Sequence, residues 1–135
     1  MNPQEKRAYE IFEEWAKGKN LEIRDCKRKG KGYDYETEDA SGKKTTYEVK
    51  GSKHENAIPD LHENEVVNGK HLKADFLFVV GNVLKEGKEV IYLIPRHVLK
   101  PDNFRLNPRT YRIVYFQNKK VMGELGVHVR NAEKL

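Results

Sequence analysis

Residues 32–51, GYDYETEDASGKKTTYEVKG, hold the signals that decide the fold. Two β-prone runs, Tyr33 to Glu38 and Lys43 to Lys50, flank Asp39-Ala40-Ser41-Gly42. Asp at the first and Gly at the fourth position of that tetrapeptide suit a type I turn followed by a left-handed residue, so the stretch reads as a β-hairpin. The turn sets a register: with Asp39 against Lys43, Glu38 falls opposite Lys44, Glu36 opposite Thr46 and Asp34 opposite Glu48. Side chains alternate along a strand, so Glu48 and Lys50 leave one face while Tyr47 and Val49 leave the other. One face is free for chemistry and the other for the core.

Upstream, Asn2 can cap a helix whose first turn takes Pro3 and Glu5, and Ala8, Phe12, Trp15 and Ala16 recur at helical spacing up to Gly18. A short strand is expected over Leu21 to Ile23, followed by the basic loop Lys27-Arg28-Lys29-Gly30-Lys31-Gly32. Downstream, His54 to His71 is polar, with a loop and a short helix expected around Glu63 to Asn68. The β-branched runs Ala74 to Val83 and Glu89 to Pro95 are expected as central strands joined by a turn at Lys85 to Lys88. Short strands are expected at Tyr111 to Phe116 and Val127 to Val129. This order implies an α/β fold of the mixed α+β kind, a mixed central sheet flanked by helices with extra C-terminal strands.

The chain has 135 residues, which suits one domain, 1–135, with a single core. A charged fraction of 35% and mean hydropathy of -0.87 describe a polar surface, yet the apolar residues gather in dense runs, which argues against disorder. With 26 Lys+Arg against 21 Asp+Glu the net charge is +5, suited to a polyanionic partner. No apolar run reaches the roughly 18 residues of a membrane span, and the first segment is not a signal peptide, so a cytoplasmic protein without membrane association is expected. Cys26 is the lone cysteine, which excludes an intramolecular disulfide and a cysteine-rich zinc site and points to a small buried side chain. The five histidines lack the spacing of zinc hydrolases.

Two carboxylates directly opposite each other destabilise a ladder unless a proton or cation sits between them, so Asp34 across from Glu48 suggests a metal site. Mg²⁺ commonly takes one or two carboxylates and completes its shell with water and substrate phosphate. Asp34 and Glu48 suffice as side-chain ligands, and the Val49 carbonyl offers another oxygen. Lys50, on the face of Glu48, would orient the attacking water or neutralise charge at phosphorus.

Gly32-Tyr33-Asp34, followed by Tyr47-Glu48-Val49-Lys50-Gly51, resembles the PD-(D/E)xK restriction-endonuclease-like nucleases. With Asn64-Glu65 and the strand Ala74 to Val80, the match is closer to the C-terminal domain of unknown function of the plant protein NO VEIN, also found in prokaryotic restriction-linked proteins. The resemblance covers roughly residues 5 to 98. It implies a restriction-endonuclease-like core, a mixed four-stranded sheet flanked by helices, and DNA cleavage dependent on Mg²⁺ or Mn²⁺. It places the metal-binding acids on Asp34 and Glu48 and the catalytic lysine on Lys50; Tyr33 stands where the motif has proline. A first-helix glutamate that points to the site in many members falls on Glu5, which shares a face with Ala8, Phe12 and Ala16. Glu5 equally suits a helix-capping carboxylate.

Lys27, Arg28, Lys29 and Lys31, together with Lys53, are the candidate phosphate contacts, against a reading as solvated loop residues. Asn64 and Glu65 match the family pattern and are as readily helix-start residues; Pro59-Asp60 is read as a turn. The functional expectation is a metal-dependent nuclease in defence or repair that acts on DNA, with RNA as an open substrate. A catalytically inactive nucleic-acid-binding or accessory module is the alternative. Homodimerisation and association with a helicase or methyltransferase subunit are further open expectations.

Overall fold

The computed structural model describes residues 2–55, 61–62, 65–67, 71–96, 104–107 and 110–113. Helix α1 spans Pro3–Gly18, and its start follows the sequence signals: Asn2 Oδ1 accepts from Glu5 N–H at 2.8 Å, and Pro3 opens the first turn. Its buried stripe is Ala8, Tyr9, Ile11, Phe12 and Ala16. Strands β1 (Glu22–Asp25), β2 (Tyr35–Glu38), β3 (Lys44–Gly51), β7 (Phe76–Gly81) and β8 (Val90–Pro95) form one sheet in the order β1-β2-β3-β7-β8. All neighbours are antiparallel except β3 and β7. A parallel pair needs a long return connection, and residues 52–75 provide it. This connection carries β4 (Leu61–His62), β5 (Val66–Val67) and β6 (His71–Leu72); β5 pairs with β6. Strands β9 (Phe104–Asn107) and β10 (Thr110–Ile113) make a second sheet with β4. The mixed α+β class is therefore observed.

The hairpin forms as its turn dictates. Asp39 Oδ1 accepts from Ser41 N–H, Ser41 Oγ–H and Lys43 N–H, and Gly42 takes φ +85°. The register Glu38↔Lys44 and Glu36↔Thr46 agrees with the turn-based count. The expected opposition of Asp34 and Glu48 does not occur. The β2 ladder ends at Tyr35↔Tyr47, and Asp34 N–H bonds to Tyr47 O at 2.9 Å, one residue off the ladder, the offset of a β-bulge. The Asp34 carbonyl meanwhile accepts from Cys26 N–H at 2.8 Å.

Helix α1 covers the face bearing Tyr47, Val49, Phe78, Val80 and Ile91. Phe12 lies at its centre, with its ring centroid 4.4 Å from Tyr35 and 5.0 Å from both Tyr47 and Phe78. The helix crosses so close to the end of β3 that a Cβ on Gly51 would stand 2.9 Å from Gln4 O and 3.2 Å from Ala8 Cβ. The Gly of Glu48-Val49-Lys50-Gly51 is thus a helix-packing residue. Cys26 is buried, as expected.

The opposite face was expected to be flanked by helices as well. Among the described residues α1 is the one helix; on that face Lys50 meets Glu65 of the β3–β7 connection, in which Leu61, Glu65 and Leu72 are buried. A helix was expected over Glu63 to Asn68; its described part is a 3₁₀ turn at Glu65 running into β5, because Val66 and Val67 pair with Leu72 and His71. Strands expected at 114–116 and at Val127 to Val129, the Pro59-Asp60 turn and Asn64 lie outside the described residues.

Candidate functional site

The middle of β3 forms the floor of the site. Backbone groups of its odd-numbered residues face β2 and those of even-numbered residues face β7, as shown by Asp34 N–H to Tyr47 O and Ser52 N–H to Val80 O, both 2.9 Å. Beyond Tyr47 the β2 side of β3 has no further ladder pair among the described residues. Asp34 folds into that gap, where its Oδ2 accepts from Val49 N–H at 2.9 Å. The Val49 carbonyl faces the same side.

Glu48 and Lys50 share a face, as the alternation requires, but the face is not solvated. Glu48 is 3% exposed and Asp34 8%. Lys50 Nζ stands 3.0 Å from both carboxylate oxygens of Glu65 and 3.7 Å from Glu48 Oε1. The Glu48 carboxyl is within hydrogen-bonding reach of both Asp34 and Glu65. Three carboxyl groups therefore gather around one ammonium. Burial, then the bond to Glu65 and the Asp34 and Glu65 charges, raises the Glu48 pKa well above its ordinary value. Burial also raises that of Asp34, opposed by the Val49 N–H bond and the Glu48 contact. For Lys50, burial acts to lower the pKa, but the charges of Glu65 and Glu48 and the bond to Glu65 outweigh it and the net shift is upward. Lys50 is an ammonium here, a donor without a free lone pair.

Glu5 is exposed on the first turn of α1, and its carboxylate does not fold back as a cap; Oε1 accepts from Tyr9 Oη–H at 3.0 Å. Tyr9 Oη also lies 3.4 Å from Asp34 Oδ1. Glu5 thus reaches the cluster through Tyr9. In the basic loop Lys27 is not a free phosphate contact. Its ammonium bonds Asp25 Oδ2 at 2.8 Å and Tyr35 Oη at 2.9 Å and sits 4.4 Å from the Tyr35 ring centroid. Arg28, Lys29, Lys31 and Lys53 are exposed. Arg28 and Lys29, with Lys27, Asp25 and Glu5, line a cavity of about 600 Å³ between the loop and the start of α1.

The structure therefore brings Asp34, Glu48, Lys50 and the Val49 carbonyl together and connects Glu5 to them indirectly. The sequence reading left Glu65 and Tyr9 off the list of site residues. The Asn64-Glu65 pattern singled out the first; the second is buried on α1 but lies outside the expected stripe of Ala8, Phe12, Trp15 and Ala16. The donor set is all oxygen, the chemistry of hard cations such as Mg²⁺ and Mn²⁺. Among the described residues no group of three or more His, Cys, Asp or Glu side chains is disposed to hold a metal ion. Two carboxylates and a carbonyl still meet the small protein share that Mg²⁺ requires. The surplus of carboxyl groups, which raises the Glu48 pKa, is the electrostatic state that an added cation relieves.

The family model described as Protein NO VEIN, C-terminal matches residues 4–94, and the chain belongs to that family. No curated protein and no solved structure matches it. No helix among the described residues is long and apolar enough to cross a membrane.

Proposed function

We propose that this member of the NO VEIN C-terminal family is a divalent-metal-dependent nuclease that hydrolyses DNA phosphodiester bonds, with Asp34, Glu48 and the Val49 carbonyl as cation ligands. The observation that carries the proposal is the convergence of Asp34, Glu48 and Lys50 where the β2 ladder stops, with the Glu48 carboxyl buried among other carboxyl groups that push its pKa upward. The order α1, antiparallel β1-β2-β3, connection, parallel β7 also suits the mixed core sheet of the PD-(D/E)xK nucleases. A bound Mg²⁺ or Mn²⁺ supplies Lewis-acid activation of water and charge neutralisation at the phosphate.

The chain's own residues do the remainder. Lys50, held protonated, donates hydrogen bonds and offsets negative charge on the phosphate oxygens, and does not serve as a base. Val49 N–H holds Asp34 Oδ2, which orients that carboxylate. Arg28 and Lys29 draw the nucleic-acid backbone to the cavity beside Glu5.

Incubation with DNA and Mg²⁺ or Mn²⁺ tests this beside Asp34→Asn and Glu48→Gln, which preserve shape and remove charge. Cleavage by the wild type that both variants abolish is the expected result; cleavage that persists in both sinks the assignment. A second reading, a nucleic-acid-binding module that does not cut, is favoured by the bidentate Lys50–Glu65 pair, which occupies the expected catalytic lysine. Salt-sensitive DNA binding without cleavage and without Mn²⁺ affinity identifies that case.

A further inference from the structure

We propose that Tyr9 is a positioning residue for Asp34, fixing the plane of the carboxylate that the nuclease reading above assigns to the cation. The phenol has one proton and two acceptors, Glu5 Oε1 at 3.0 Å and Asp34 Oδ1 at 3.4 Å. Asp34 is thus approached by a different donor at each oxygen, Val49 N–H at Oδ2 and Tyr9 Oη–H at Oδ1. Beside the Glu48 contact, donors on separate oxygens restrict the rotation of the carboxylate more closely than Val49 N–H alone. The Tyr9 ring is itself fixed, edge-on to Tyr35 at 5.9 Å and 4.7 Å from the Lys27 ammonium. Burial, then the Asp34 charge and the Glu5 bond, pushes the phenol pKa upward, so the hydroxyl stays a donor around neutral pH. Because Glu5 also lines the cavity beside Arg28 and Lys29, Tyr9 connects the cavity wall to the buried carboxylate.

Tyr9→Phe keeps the ring and deletes the hydroxyl. Tyr35→Phe is the matched control, since it removes a hydroxyl from the same aromatic cluster that bonds Lys27. The first readout needs no metal: native-state hydrogen exchange at the Val49 amide, the donor to Asp34 Oδ2. In Tyr9→Phe this amide is expected to exchange about tenfold faster relative to the rest of β3, the loss of one ordinary hydrogen bond's worth of order, and in Tyr35→Phe to be unchanged. The second is the Kd for Mn²⁺ by calorimetry, expected to rise about tenfold in Tyr9→Phe alone, the low end for loss of an outer-shell partner. Unchanged Val49 exchange in Tyr9→Phe, or an equal change in both variants, overturns the proposal. A wild type that binds no Mn²⁺ refutes the nuclease reading instead, and the Val49 amide still decides the role of Tyr9.

Discussion

Replacing Lys50 by Met removes the one ammonium among three carboxyl groups, and its cost follows from the geometry. At 3.0 Å from Glu65, with an effective dielectric near 20, the gross attraction is about 5.5 kcal/mol. Desolvation offsets much of this in the intact pair, so the pair's net contribution to stability is small. Breaking it is another matter, because Glu65, 7% exposed, is left as a buried carboxylate beside Glu48 and Asp34; such losses run about 3–5 kcal/mol. Glu65 can escape part of the penalty by taking up a proton, which places the expected cost near 3 kcal/mol at pH 7, or roughly 10 °C in Tm. The sign of the pH dependence follows: a carboxylate that has lost the Lys50 ammonium is penalised only when ionised, so the deficit grows from pH 5 to pH 8. Urea denaturation of the wild type, Lys50→Met, Glu65→Gln and the double variant measures this. The double variant, with no buried charge left unpaired between them, is expected to recover at least about 2 kcal/mol over Lys50→Met. A cost under about 1 kcal/mol at both pH values, or a double variant no more stable than Lys50→Met, refutes the reasoning. The result also bears on enzymology, since loss of cleavage in a Lys50 variant is informative only if the fold is intact.

Glu48→Gln should behave in the opposite way. The folded protein holds a Glu48 proton that the unfolded chain releases above the ordinary value of 4.5, so stability falls as pH rises from there through the elevated folded value. The neutral isostere removes that loss: its melting temperature should exceed the wild type's at pH 8 and equal it at pH 4, and Mn²⁺ should raise the wild type's Tm alone. Gly51→Ala forces a methyl against Gln4 O and Ala8 and should cost about 2 kcal/mol by urea denaturation; a change under about 0.5 kcal/mol would show that α1 yields at that point. Arg28→Ala with Lys29→Ala should reduce the slope of log affinity against log salt for duplex DNA by up to about 2. Lys27→Met, which removes a residue bonded to Asp25 and Tyr35, should lower Tm and leave that slope unchanged.

How much of this was legible in the sequence depends on how local each determinant is. Asp39 and Gly42 fix the turn within four residues, so the hairpin register followed from counting. Asn2 and Pro3 fix the start of α1 in the same way. The off-ladder step at Asp34 was not legible, because it is set from outside the hairpin by the Cys26 bond to the Asp34 carbonyl and by Val49 N–H on its side chain. Glu65 sits on a connection without periodicity, and only the return of that connection over β3 brings it to Lys50. Tyr9 is buried on α1 but stands outside the expected stripe of Ala8, Phe12, Trp15 and Ala16, and the aim of its hydroxyl depends on how α1 crosses the sheet. Lys27 looked like its basic neighbours, yet its ammonium lies over two tyrosine rings that the sequence places far apart.

The contrast between Lys27 and Lys50 bears on why the carboxyl cluster exists. Lys27 meets Asp25 and two aromatic faces, a balanced set that stabilises the loop against α1. Lys50 faces three carboxyl groups, and burial with the neighbouring carboxyl groups pushes the pKa of one of them, Glu48, well upward. A buried β-strand position is better stabilised by a β-branched apolar residue than by an ion cluster of this kind, so stability alone does not account for Asp34, Glu48 and Glu65 together. The excess negative charge lies at the point where β2 has left β3 and the Val49 carbonyl faces the gap. A cation entering there would displace the Glu48 proton and restore the balance that Lys50 cannot supply by itself, which is why Mn²⁺ stabilisation and cleavage should be lost together in Glu48→Gln.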